Sequence, residues 1–349
     1  MRLEPVAAPS ALESLLYPVG AVVVTFVLAS LLVLAAGASP FDVFVLVAKG
    51  AAGSQFALFE TLTRATPLIF TGLAVAVAFR AKLWNIGAEA QLYAGAVITV
   101  VLGTGALPLP SFILIPLLVV MSVLAGALLL LGPALLKTRF GVDEVVTTLL
   151  LNFIMLLFVS MLLEGVLKDP MGLGWPQSQK LVSEARLPRI VAGRRLHYGF
   201  VLALVCAVAV WIVMKKTALG FEMRAVGHNP EAARFAGIPV NRVLVKTALL
   251  SGGLAALAGF SEVSGLKGNL TLDLSPGFGY SGIVVAMLAL LNPLGVVAAA
   301  IFVAVIFVGA DAMSRSAGVP SYIADVMVAL SLITMVVAIM LTRYRVRWR

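Results

Sequence analysis

Residues 219–246 read LGFEMRAVGHNPEAARFAGIPVNRVLVK, a polar island between two apolar runs long enough to cross a bilayer. Within it, Asn229-Pro230-Glu231-Ala232-Ala233-Arg234-Phe235-Ala236-Gly237 spells a short helix with both ends marked. Asn229 is suited to accept from the first free amides, and Pro230 stands at the first helical position, where its missing N–H costs nothing. Glu231 in the first turn complements the helix dipole, and Gly237 supplies the left-handed exit that ends the helix. A short, charged, fully punctuated helix between membrane spans suits a part that touches something outside the membrane.

The rest of the chain sets that helix in an all-α, polytopic membrane protein. Of 349 residues, 61% are hydrophobic and 12% charged, about half the charge usual in soluble domains, and the mean hydropathy is +1.09. Cys206 is the single cysteine and lies mid-span, which excludes a disulfide framework. The net charge of +9 belongs to loops at one membrane face and not to a nucleic-acid surface. Residues 17–36 are followed by Ala36-Gly37-Ala38, which resembles a signal-peptidase site. The length of the run, with Glu4 and Glu13 before it, argues for a retained first span.

Apolar runs predict about ten transmembrane helices, near 17–36, 60–79, 88–103, 112–136, 144–166, 199–215, 245–265, 279–291, 294–310 and 321–342. The eighth is short for a full crossing. Fifteen Lys and Arg then fall on the side of both termini and nine on the other, six of these in the one long loop 167–197. The positive-inside rule places the termini and the loop 216–244 in the cytoplasm and the loop 167–197 outside, with residues 1–349 forming a single permeation domain.

Chemistry for catalysis is sparse. His197 and His228 are the only histidines, both in loops, and they suggest neither a metal site nor a nucleophile–base pair. Gly277-Phe278-Gly279-Tyr280-Ser281-Gly282 matches GxGxxG formally, but it opens a membrane span without a preceding strand, so close helix packing is the better reading. No P-loop occurs, so any ATP hydrolysis belongs to another polypeptide. Polar groups within spans are expensive in lipid. The densest cluster is Asn85, Glu89 and Gln91 at the mouth of the third span, with Asn152 in the fifth. Capping by Asn85 and a dipole contact by Glu89 account for two of them, and a place in the permeation path is the alternative. Asp143-Glu144 reads as cap and first turn of the fifth span, and Gly252-Gly253 as a tight packing face.

Glu231-Ala232-Ala233-x-x-x-Gly237 resembles the EAA-x-x-x-G motif of ABC importer permeases. The longer run from Gly220 through Arg224, Gly227, Asn229 and Pro230 to Val240 looks like the branch serving sugars, branched-chain amino acids and nucleosides. Trp84-Asn85-Ile86-Gly87-Ala88-Glu89-Ala90-Gln91 is similar to the NIGAEGQ stretch of the nucleoside-type, guanosine-like permeases, with Ala90 where they usually carry Gly. Residues 141–153 and 277–282 fit the same group.

The resemblance implies an ATP-driven nucleoside importer subunit in a bacterial inner membrane. It further implies a partner ATPase that uses ATP and Mg, a second permease, and an extracytoplasmic substrate-binding lipoprotein, with no cofactor on this chain. Arg224, Gly227, Asn229, Pro230, Glu231, Ala232, Ala233, Arg234 and Gly237 would form the ATPase-coupling segment, Arg224 and Arg234 facing acidic groups there. Asn85, Glu89, Gln91 and Asn152 would be the substrate-path candidates. Rival readings are an ABC permease for a simple sugar and an ion-coupled transporter using Glu89, Asp311 or a buried Asp325.

Overall fold

The computed structural model describes residues 2–5, 11–35, 37, 39–317 and 322–347. Ala36 and Ala38 of the cleavage-like tripeptide lie outside the described residues. Among the described residues the helices are α1 (Ala11–Ala35), α2 (Pro40–Ala52), α3 (Gln55–Arg80), α4 (Ala88–Gly103), α5 (Ser111–Phe140), α6 (Glu144–Glu164), α7 (Gly199–Lys216), α8 (Ala218–His228), α9 (Pro230–Phe235), α10 (Val240–Ser261), α11 (Phe278–Leu288), α12 (Pro293–Ala317) and α13 (Tyr322–Arg343). A two-stranded antiparallel ribbon pairs β1 (Arg2–Pro5) with β2 (Tyr344–Arg347), Arg2 opposite Arg347.

Six of these helices, α3, α5, α6, α7, α10 and α12, are long and apolar enough to cross a membrane. The expected third and eighth spans are shorter. With 16 residues α4 measures about 24 Å, and with 11 residues α11 about 16 Å, both under the roughly 30 Å of a hydrocarbon core. Helix α2 was not expected from hydropathy. It starts on a local signal, Ser39 accepting from the Asp42 amide at 3.5 Å with Pro40 behind it.

The contacts group into two units, Met1–Thr61 with Ile301–Arg349, and Leu62–Ala300. In the first, Thr25 and Thr334 share a 2.8 Å hydrogen bond between α1 and α13, and the Phe26 ring meets Phe44 edge-on at 5.2 Å. Asp311 and Asp325 are exposed, so neither is the buried carboxylate that ion coupling would call for.

In the second unit α10 is the axis, buried almost throughout between α4 and α5. The predicted packing face is real: a Cβ on Gly252 would overlap the Gly126 carbonyl of α5. Helix α10 runs on through a π-helical turn, Glu262–Lys267, to Gly268. The loop after α6 is ordered against that end. Ser178 donates to the Leu270 carbonyl (2.9 Å), Leu181 to Gly268 (2.8 Å), Val182 to Gly103 (3.0 Å) and Leu187 to Ser264 (2.9 Å). Its backbone is thereby satisfied without a sheet, as a cap must be. His197 is fully buried there, its Nδ1 accepting from the Gly199 amide at 3.1 Å.

Candidate functional site

Two places bring the sequence-expected residues together. The first is the 217–240 segment. Thr217 caps α8, accepting from the Gly220 amide at 3.3 Å. One residue, Asn229, both ends α8 and starts α9. Its Oδ1 accepts from the Glu231 (2.9 Å) and Ala232 (3.0 Å) amides, with Pro230 at the first position. At the other end the Ile238 amide reaches the Ala233 carbonyl and the Gly237 amide reaches Arg234, both at 3.0 Å, with Gly237 at φ +83°. That pair of bonds is the Schellman arrangement, which satisfies the last free carbonyls.

Helix α9 is thus locked at both ends while presenting its surface outward. Only Ala233 is buried; Glu231, Ala232 and Arg234 are exposed, and Phe235 is 96% exposed. Phe235, the one aromatic residue of α9, was not among the residues expected to form this surface. Arg224 does not join this surface. It turns inward, its Nη1 donating to the Met214 carbonyl at the end of α7, so the outward arginine is Arg234 alone. Gly227 sits where a Cβ would overlap the Arg80 carbonyl, which brings α8 against the end of α3. Arg80 in turn donates from Nη2 to the Leu291 carbonyl at 3.4 Å.

The second place is the turn between α3 and α4. After Arg80 the chain doubles back: Asn85 donates to Ser251 Oγ at 3.0 Å, and Ser251 donates to the Ala74 carbonyl at 2.7 Å. Ala74 lies six residues, roughly 9 Å, before the end of α3, so the turn at Asn85 folds back alongside that helix. Non-helical backbone so placed must find partners inside the protein. It finds them on α6. The Trp84 amide donates to Glu144 Oε1 (3.1 Å), the Ile86 amide to Thr148 Oγ1 (3.2 Å), and the Ile86 carbonyl accepts from Asn152 Nδ2 (3.0 Å). Asn152 Oδ1 also takes the Ala90 amide in the first turn of α4 at 2.9 Å. Lys137 pairs with the same Glu144 oxygen.

Asn85 and Gln91 close a reciprocal amide pair, both bonds 2.9 Å, and both side chains are wholly buried. Asn85 does not cap α4 as expected: the N-cap position is held by Gly87, whose own amide donates to Asn85 Oδ1 at 3.0 Å. Glu89 serves a different helix from the one expected: its Oε2 accepts the Gly279 amide at the start of α11 at 2.6 Å. The four path candidates are thus gathered into one cluster, but Asn85 and Asn152 are occupied with the backbone and Gln91 with Asn85. Beside them stand three side chains that were not among the path candidates. Tyr280, 41% exposed, accepts from Asn152 Nδ2 at 3.0 Å, and Trp84, 43% exposed, stacks edge-on with Phe79 at 4.6 Å. Arg64 of α3 lies over the Phe278 ring at 5.2 Å.

The chain is similar to known proteins. The family model described as the permease component of branched-chain amino acid transport systems matches residues 57–341. The guanosine ABC transporter permease NupP of Bacillus subtilis is 36% identical over 91% of this chain and 92% of its own. The glucose ABC transporter permease TsgB13 of Haloferax volcanii is 35% identical over 94% and 89%, and the nucleoside ABC transporter permease NupB of Lactococcus lactis 32% over 91% and 89%. No solved structure matches. With the family model covering most of the chain and three permeases aligning nearly end to end, the chain belongs to the ABC-transporter permease family of the branched-chain amino acid type.

Proposed function

We propose that this chain is the transmembrane subunit of an ATP-driven importer of nucleosides. The observation that carries the coupling half of the reading is α9, a short helix held rigid by Asn229 and Gly237 with Phe235 and Arg234 displayed for a partner. The partner is a separate ATPase that binds ATP and Mg. Its closure pushes on α9, and the contact of Gly227 with Arg80 passes that movement to α3. A second permease and an extracytoplasmic binding lipoprotein complete the complex, with α9 and both termini in the cytoplasm. The nucleoside half rests on the guanosine and nucleoside relatives. The glucose relative supports a second reading, a simple sugar as cargo.

Reconstituting the chain with its ATPase, partner permease and binding protein in liposomes tests both halves. ATP-dependent guanosine uptake without glucose uptake is the expected result. Glucose alone would transfer the assignment to a sugar, and accumulation by this chain without ATP would end the ABC mechanism.

A further inference from the structure

A cavity of about 760 Å³ opens where α5 and α7 begin, beneath the ordered loop that follows α6. Arg186 and Arg189 form its charged rim, Ser111 and Tyr198 add hydroxyls, and Phe112 and Ile115 make an apolar floor. No carboxylate lines it among the described residues: Glu184, the nearest acid in sequence, accepts from the Ser183 hydroxyl at 3.0 Å and borders a neighbouring hollow instead. Neither arginine has an ion pair among the described residues. Two arginines and an apolar floor lining one open cavity suit a compound ligand, anionic at one end and apolar at the other.

The helices below say where the apolar end goes. On α5, Ile113, Val120, Leu124 and Leu128 are exposed along one stripe, and on α7 so are Val201, Val205, Val208 and Ile212. Both spacings follow one helix face. The windows of α5 and α7 that cross the membrane are only 33% and 28% buried within the chain, so these faces meet acyl chains or another subunit. Phe112, which lines the cavity at the head of α5, is 76% exposed. The cavity thus opens at the ends of two helices whose faces are made for hydrocarbon.

We propose that this cavity binds an anionic phospholipid of the leaflet on its own side, the phosphate held by Arg186 and Arg189 and the acyl chains laid on Phe112 and the α5 and α7 stripes. Arginine suits a phosphate because its planar fork offers two parallel donors. The apolar floor favours a lipid over free phosphate or a carboxylate from a docking protein, neither of which would cover Phe112. A lipid seated there would hold the loop of Arg186 and Arg189 against the head of α5.

The test is lipid retention by the full complex, purified in detergent after exchange into mixed phosphatidylglycerol and phosphatidylcholine, and weighed by native mass spectrometry. Phosphatidylglycerol should be retained selectively. Loss of selectivity should be roughly fivefold in Arg189→Gln and about thirtyfold in the double variant with Arg186→Gln, at about one unit of attraction per arginine. Because Arg186 also packs over Gly268, Arg189→Gln is the variant that leaves the loop's packing alone. Equal retention of both lipids, or no change in either variant, would overturn the proposal. Displacement of the lipid signal by millimolar inorganic phosphate would assign the site to free phosphate. Unchanged lipid with weakened binding-protein docking would assign it to that protein, and each of these would also refute a lipid site.

Discussion

Glu89 and Gly279 are 190 residues apart in sequence, and the carboxylate of one accepts the amide of the other at 2.6 Å. Helix α11 therefore begins against a carboxyl oxygen from α4, where its own free amides need an acceptor. Ser275 assists, accepting from the Phe278 amide at 2.9 Å. Glu89→Gln keeps an acceptor for the Gly279 amide and should cost under about 1 kcal/mol. Glu89→Ala leaves a buried amide unmet and should cost about 1–3 kcal/mol. Thermal unfolding of the purified complex orders the two. If ATP-driven uptake survives in Glu89→Gln, Glu89 is not an ion-coupling carboxylate.

Asn152 makes three contacts at once, to the Ala90 amide, the Ile86 carbonyl and the Tyr280 hydroxyl. Asn152→Leu strands two backbone groups, and about 2–4 kcal/mol of stability should go with them. Asn152→Asp, with the acceptor kept and the donor lost, should fall between. Equal melting temperatures for wild type and Asn152→Leu would show that the turn is held by other means.

Gly237 has open space where a side chain would go, so its substitution tests backbone conformation alone. At φ +83°, Asn is tolerated and a β-branched residue is not. Gly237→Val should leave the chain inserted and reduce transport and ATPase co-purification at least tenfold, while Gly237→Asn stays within about twofold of wild type. Matching losses in both variants would mean that the left-handed turn is not what matters.

Burial lowers His197 from the ordinary 6.5 to about 4, since the imidazole has no room to be hydrated as a cation. Between those values the unfolded loop takes up a proton that the folded loop refuses. Stability should therefore be level above pH 6.5 and fall as pH drops toward about 4. His197→Gln should flatten that slope in melting temperatures of the complex measured across the interval. A slope identical to wild type would place the acid sensitivity elsewhere.

What the sequence disclosed follows from how local each signal is. Asn229, Pro230 and Gly237 act on amides and carbonyls within three to five residues, so their spacing alone announced α9. The same holds for Asp143, whose Oδ1 accepts from the Val145 amide at 2.8 Å as a cap should. Asn85, Glu89 and Asn152 could be picked out as polar residues in apolar surroundings, but their partners lie on other helices, and nothing in the spacing names them. Arg224 shows the limit from the other direction. It matched a motif and was expected to face outward, yet the free carbonyl of Met214 lay within its reach.

The turn before α4 has a consequence for how the protein is made. Its backbone partners at Glu144, Thr148 and Asn152 lie 60, 62 and 66 residues later in the chain. When α3 and α4 leave the ribosome, the groups at Trp84 and Ile86 have nothing to bind, and lipid offers nothing. That hairpin has to wait, unfinished or at the edge of the translocon, until α6 has been synthesised. Assembly of this protein is therefore not a sequence of independent insertions: the sixth helix completes the work of the third and fourth.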